Sequence, residues 1–288
     1  MNVYWLEQSE RDLPAEDDWL SASEAVCLNA LHFAKRRVDW QLGRWTAKCA
    51  LSAYLAVPAH SEMFKKIDIR PASDGAPEAF IGGQAAGVMI SLSHRSGMAI
   101  CAVAATGVDL GCDLELVEPR SDSFIADYFA IEEQGRIAQA SVGDRHRLVT
   151  LLWSAKESAL KALRAGLRLD TRSVTVDPFV TSSEFAGQGD GELDSHRRSE
   201  LDGWSPLTVR YASRCSLENL SDDHHHSIDR VFHGWWQTAG DIVRTMVGAP
   251  APESPILLRG QGHTFDHAFD HAFDRAFGSP GERAKKIV

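Results

Sequence analysis

Apolar positions along this chain recur with two periods, and the switches between them outline its elements. A short apolar run at Val3–Leu6 reads as a strand. Ser21 or Ser23 can cap a helix with Glu24 in its first turn. Helical spacing continues from Arg36 to about Leu55, and Pro58 stops it. Strand patterning takes over between Ile67 and Val117, punctuated by Pro71, Gly75, Pro77 and Gly82-Gly83. Within it, Met89–Leu92 and Ala99–Ala104 read as buried strands joined near Ser96-Gly97, and a turn through Thr106–Leu110 leads into a strand at Gly111–Val117. Helix returns from Phe124 to about Leu163, in two segments interrupted near Gly143, with Gly166 as the C-terminal cap. Strands follow at Ser173–Val176, Leu207–Ala212, Val231–Gln237 and Asp241–Met246. The order predicts an α+β chain in two halves, residues 1–105 and 106–249, each with a long helix and a small antiparallel sheet.

Two segments stand outside this pattern. Thr181–Gly203 carries Gly187, Gly189, Gly191 and many charges, and reads as a mobile loop. From about Pro250 to residue 288 the chain reads as a low-complexity, unpacked tail. Its four-residue repeat over Phe265–Phe277 would drift around a helix axis rather than hold one face.

Composition narrows the function. The 288 residues are 44% hydrophobic and 24% charged, enough for a sizeable core. Lys and Arg number 30 against 40 Asp and Glu, a net charge of −10 that disfavours general nucleic-acid binding and anionic membrane surfaces. Five cysteines without a CxxC pair point away from a disulfide framework or zinc site and toward a reducing cytoplasm. The start has no basic segment followed by an apolar one, and no apolar run is long enough to span a bilayer.

Four constellations can carry chemistry. In Gly111-Cys112-Asp113-Leu114-Glu115, strand alternation sends both carboxylates to one face. Neighbouring acids repel unless a cation or proton lies between them, and oxygen ligands suit Mg²⁺. The pentapeptide alone also describes two solvent-facing acids on an edge strand. In Trp153-Ser154-Ala155-Lys156-Glu157 through Lys161, helical spacing aligns Trp153, Glu157 and Lys161. Leu152, Ala155, Ala159, Leu160 and Leu163 can make that helix's buried side. Glu157 could complete a three-carboxylate metal site with Asp113 and Glu115, and Lys161 could neutralise phosphate charge. In Ser91-Leu92-Ser93-His94, a hydroxyl and an imidazole end a strand before a glycine turn, where they can hold an anion. Arg37, Gln41, Arg44 and Lys48 follow helical spacing and would make a basic stripe. Asp109, in the near-copy Gly107-Val108-Asp109-Leu110, reads as a structural turn residue, and His224-His225-His226 as a solvated loop.

Together these pieces resemble the 4′-phosphopantetheinyl transferase superfamily, in its larger surfactin-synthetase-type branch. The family pattern is Gly-x-Asp-x-Glu, a gap, then Trp-Ser-x-Lys-Glu-x-x-x-x-Lys. Here it is Gly111 to Glu115, then Trp153 to Lys161. The resemblance implies two α+β halves related by a pseudo-twofold axis, with coenzyme A in the cleft between them. It implies Asp113, Glu115 and Glu157 as ligands of Mg²⁺, with Mn²⁺ as the alternative ion. His94 and Ser93 would contact coenzyme A phosphate, and Lys156 and Lys161 would lie near the transferred phosphate. Arg37 and Arg44 would meet the distal phosphate. Glu157, Lys161 and Asp113 would carry catalysis. The implied reaction moves phosphopantetheine onto a serine of an apo acyl or peptidyl carrier protein, by a cytoplasmic monomer. The alternative is a non-catalytic homologue that binds coenzyme A or the carrier. Where many relatives have Gly-Lys-Pro, this chain has Gly75-Ala76-Pro77, so one family lysine is missing.

Overall fold

The computed structural model describes residues 1–179, 203–212 and 229–259; the expectations for Thr181–Gly203 (all but Gly203), His224–His226 and the Phe265–Phe277 repeat fall on residues outside these. In chain order, β1 (Tyr4–Ser9) precedes α1 (Ala22–Asn29), α2 (Ala34–Tyr54) and α3 (Ser61–Phe64). Next come β2 (Ile67–Pro71), β3 (Pro77–Ile81), β4 (Gln84–Ala85), β5 (Val88–Arg95), β6 (Met98–Ala105) and β7 (Asp109–Leu116). Then follow α4 (Asp122–Tyr128), α5 (Ile131–Gln139), α6 (Val142–Ala162), β8 (Val174–Asp177), β9 (Ser205–Ala212), β10 (Asp229–Ala239), β11 (Ile242–Ala249) and β12 (Ile256–Leu257). The class is α+β, as the pattern predicts.

Local signals place many of these elements. Ser21 caps α1, and Glu24 completes the box by accepting the Ser21 N–H at 3.0 Å. Ser96 and Gly97 both take positive φ, 52° and 75°, and close the β5–β6 hairpin. Helix α6 ends in a Schellman motif, in which Arg164 N–H reaches Lys161 O at 2.9 Å and Ala165 N–H reaches Leu160 O at 3.0 Å. The left-handed residue of that motif is Arg164, at φ 54°, and not the expected Gly166. A left-handed non-glycine residue costs ~1–2 kcal/mol. Helical patterning also breaks into three helices rather than two, because Ser121, Ala130 and Ser141 each take an extended conformation before a new first turn.

The strands form sheets in the orders β12-β1-β6-β5, β7-β11-β10-β9-β8 and β2-β3-β4. Helix α2 packs on the first sheet around Leu51, Cys101 and Val103. Helix α6 packs on the second around Leu152, Ala159, Leu207 and Val247. Between the two sheets, Trp5, Ile100 and Ala102 meet Cys112, Leu114, Trp204 and Met246. Glu7 of β1 adds an ion pair to Arg244 of β11 across this seam.

The start of the expected tail is packed. Strand β12 pairs parallel to β1, Leu258 N–H reaches Trp5 O at 2.7 Å, and Pro252 O accepts the Trp235 indole N–H at 3.0 Å. Residues 250–259 therefore close the edge of the N-terminal sheet, because Ile256 and Leu258 supply an edge partner that β1 otherwise lacks. Among the described residues, no helix is long and apolar enough to cross a membrane.

Candidate active site

The site begins with a glycine. Alternation along β7 turns Cys112 and Leu114 into the seam and leaves Gly111, Asp113 and Glu115 on the α6 side. A Cβ on Gly111 would stand 1.8 Å from Ser158 O and 2.9 Å from Ala162 N. Only glycine lets the helix come this close. Ser154 and Ser158 fasten α6 to Thr245 on β11, with Oγ–Oγ1 distances of 2.9 and 2.7 Å. That approach brings Lys161 Nζ to 2.7 Å from Asp113 Oδ1 and 3.0 Å from Cys112 O.

Strand β5 supplies the other support. Ser91 Oγ accepts the Cys112 N–H at 2.9 Å, Ser93 Oγ donates to Asp113 Oδ1 at 2.7 Å, and Arg95 Nε lies 3.7 Å from Glu115 Oε2. Alternate residues of β5 thus address successive positions of β7. Arg120 approaches the same Glu115 oxygen at 3.6 Å, and both arginines also pair with Glu118.

The carboxylates remain under-satisfied. Asp113 Oδ2 and Glu115 Oε2 are buried without a hydrogen-bond partner. Burial, and then the Asp113 charge, push the Glu115 carboxyl up to about 7, against Arg95, Arg120 and the Trp153 indole. The same two causes raise Glu157, which Lys161 partly opposes. For Lys161, burial works against the charged form, but Asp113 outweighs it and the ammonium titrates above its ordinary value. Burial lowers His94, which favours its neutral imidazole.

Two buried carboxylate oxygens that accept no hydrogen bond, one of them facing Arg95 and Arg120 at ion-pair distance, fit a hard cation such as Mg²⁺. The expected three-carboxylate set is not assembled: among the described residues no three His, Cys, Asp or Glu side chains converge as a metal group. Mg²⁺ needs only one or two protein carboxylates when phosphate oxygens and waters complete its shell. Asp113 and Glu115 are the pair that fits.

A cleft of about 400 Å³ opens between the halves, lined by Trp40, Arg44, His94, Lys161 and Arg164 among others. Arg44 stacks over the Trp40 ring at 4.9 Å, and its Nε is buried without a partner. Burial lowers its pKa, with Glu24, Cys27 and Asp68 opposing. A larger hollow of about 770 Å³ beside α5, β8 and β9 includes none of the expected site residues. The cleft, which is lined by Arg44, His94 and Lys161 of the expected site, is the chemically relevant one.

Several expected ligand contacts are used elsewhere. Lys156 is fully buried; its Nζ lies 2.7 Å from Glu133 Oε2 and donates to Thr171 O and Val174 O. It cannot reach a phosphate in the cleft, because it lies five residues from Lys161 and so about 140° around the helix. Arg37 donates to Leu28 O at 2.6 Å and Leu31 O at 3.3 Å, satisfying carbonyls at the end of α1. Ser93 spends its hydroxyl proton on Asp113 rather than on a phosphate. The basic stripe of α2 divides: Lys48 is buried against Glu24, Gln41 bonds Asp17, and Arg44 faces the cleft. Asp109 pairs with Arg230, in keeping with a structural role. Sequence reasoning missed Arg95, Arg120 and Arg164. No motif marks them, though the Arg95 position two residues after Ser93 is a strand-period signal.

Residues 109–213 match the family model described as the 4′-phosphopantetheinyl transferase superfamily. Over these residues the chain is similar to that superfamily. A 178-residue stretch is 28% identical to the 4′-phosphopantetheinyl transferase HetI of Nostoc sp. (strain PCC 7120), covering 60% of this chain and 72% of the relative. The chain also has a likeness, at 20% identity and a TM-score of 0.31, to a crystal structure of a holo-(acyl-carrier-protein) synthase from Bacillus anthracis in complex with CoA (3′,5′-ADP), covering 35% of this chain and 92% of that one. The matched superfamily segment contains both motifs and the strands β7, β8 and β9.

Proposed function

We propose that this protein transfers the 4′-phosphopantetheine arm of coenzyme A to a serine of an apo acyl or peptidyl carrier protein, releasing adenosine 3′,5′-bisphosphate. The observation that carries the reading is the contact of Asp113 on β7 with Lys161 on α6, two residues from the buried Glu115, where Lys161 also lines a cleft that receives Arg44 and His94. The family-model match over residues 109–213 and the likeness to the Nostoc relative support it. Free thiols at the described cysteines suit a reducing cytoplasm.

A bound Mg²⁺, held by Asp113 and Glu115, would offset the charge of the diphosphate. Ser93 and Lys161 hold Asp113 in place for that task. Glu157, its carboxyl raised by burial and by Asp113, takes the proton of the attacking serine hydroxyl. The serine oxygen bonds to the β-phosphorus of coenzyme A. The bond from that phosphorus to the bridging oxygen breaks, and the bisphosphate leaves with the electron pair. Lys161, kept charged by Asp113, neutralises the leaving phosphate. His94 can donate an N–H to a phosphate oxygen, and Arg44 suits the remaining phosphate. Trp153 lies one turn before Glu157 and packs edge-on against Phe124 and Tyr128, 5.1 and 5.2 Å away. With the exposed Ile131 nearby in sequence, this cluster offers apolar surface for the acceptor protein.

Purified protein incubated with Mg²⁺, coenzyme A and a set of apo carriers should add one phosphopantetheine mass to one carrier serine, read by intact-protein mass spectrometry. Folded protein that modifies no carrier would overturn the reading.

A further inference from the structure

We infer that Arg164 is a positioning residue of the cleft: its ionic clamp to Asp74 and Glu78 fixes the end of α6, and with it Lys161, against the wall contributed by the other half. The inference rests on the coenzyme A reading above and names a residue no motif marks.

Three observations lead to it. First, Arg164 occupies the left-handed position of the Schellman motif that ends α6, φ 54°, where glycine is the favoured residue. Second, its side chain crosses to the turn between β2 and β3. Nε lies 2.6 Å from Asp74 Oδ2, and Nη2 lies 3.3 Å from Asp74 Oδ1 and 3.1 Å from Glu78 Oε1. One planar guanidinium grips two carboxylates, a task lysine's point charge does not match. Arg168 reinforces the junction by donating to Arg164 O at 2.9 Å and Asp74 O at 3.3 Å. Third, the clamped segments are both walls of one cleft. Asp74, Ala76 and Pro77 come from one half, and Lys161 and Arg164 from the other. Asp74 Oδ1 also accepts the Ala76 N–H at 3.0 Å, so the clamp and the shape of the turn are linked.

The energetics favour a geometric role over a stabilising one. The Arg164 and Asp74 side chains are 32% and 31% exposed, and pairs this accessible add little to stability. A left-handed arginine opposes stability. What the clamp contributes is the separation of the cleft walls.

Arg164→Gly removes the clamp and gives the backbone the residue its conformation favours. Asp74→Asn removes the charge while keeping an acceptor for Ala76 N–H. By calorimetry with coenzyme A and Mg²⁺, both variants should bind about tenfold more weakly than wild type, with kcat for carrier modification falling as Lys161 loses its placement. Arg164→Gly should melt at or above the wild-type temperature, which separates this role from a structural one. The double variant should bind no more weakly than the weaker single variant. Wild-type protein that binds no coenzyme A overturns the coenzyme A reading and the clamp with it. Wild-type binding, with both variants within about twofold of it, overturns the clamp alone.

Discussion

Helices α2 and α6 carry nearly the same tetrapeptide, Trp45-Thr46-Ala47-Lys48 and Trp153-Ser154-Ala155-Lys156, and the lysine of each makes a similar set of contacts. Each lysine is fully buried and paired with a glutamate in the first turn of an earlier helix, Lys48 with Glu24 of α1 and Lys156 with Glu133 of α5. Each ammonium donates to two carbonyls, Trp19 and Phe64 in one half, Thr171 and Val174 in the other. The second oxygen of each glutamate accepts a strand N–H, from Ile69 at 3.1 Å and from Val176 at 2.9 Å. An aromatic ring underlies each lysine, Trp19 or Phe129. The halves part at the residues next in line. Where α6 has Glu157 and Lys161, α2 has Cys49 and Ala53. Each helix thus buries a lysine–glutamate pair, and only α6 carries on another face the two residues, Glu157 and Lys161, to which the proposed chemistry is assigned.

That comparison can be broken or sharpened by experiment. The largest stability effect should come from the shared pair. Lys156→Ala and Lys48→Ala each strand a buried glutamate and should cost ~3–5 kcal/mol in urea unfolding. Replacing Lys156 and Glu133 together with apolar residues of similar volume should recover most of that loss. A Lys48→Ala variant that unfolds like wild type would deny the two pairs a common role. Next comes the pair that differs. Glu157→Ala should reduce carrier modification by about 10²–10⁴-fold without lowering the melting temperature, since it removes a carboxylate whose charge is disfavoured by burial. Cys49→Ala, at the matching position of α2, should leave the rate unchanged. A wild-type rate in Glu157→Ala would remove it from the mechanism.

Glu115 gives a pH signature found in one half only. Its folded pKa, about 7, exceeds its ordinary value, so between about 4.5 and 7 the folded state holds more protons than the unfolded state. Stability of the metal-free protein should therefore fall as pH rises through that window, by up to ~3 kcal/mol. Glu115→Gln should flatten this slope in thermal melts, and an unchanged slope would assign it to other groups. The smallest of these effects is packing. Gly111→Ala forces a methyl into the α6 backbone and should cost ~1–3 kcal/mol, together with a weakened Lys161–Asp113 contact seen as a lower rate.

Much of this was legible before any coordinates. The alternation of Gly111, Asp113 and Glu115 and the four-residue spacing of Glu157 and Lys161 follow from strand and helix periods, and both hold in the structure. Ser21 and Glu24 announced the cap they form. Lys156 was misread because helical spacing gives relative faces and not which face is covered; Glu133, from another helix, decides that. Arg37 and Lys48 failed for the same reason, since their carbonyl and carboxylate partners lie on α1 and its neighbours. The cap of α6 runs against its local rule at Arg164, whose side chain reaches Asp74 and Glu78, far away in sequence.

The sequence by itself determined the periods, the caps and the short-range order of carboxylates and cations, because these depend on residues a few positions apart. Tertiary structure decided which lysine is buried and which faces the cleft, how β12 returns to close the first sheet, and how the two halves are clamped. Those outcomes depend on long-range pairing and on the cost of leaving a buried charge without its partner, and neither is written in any local stretch of the chain.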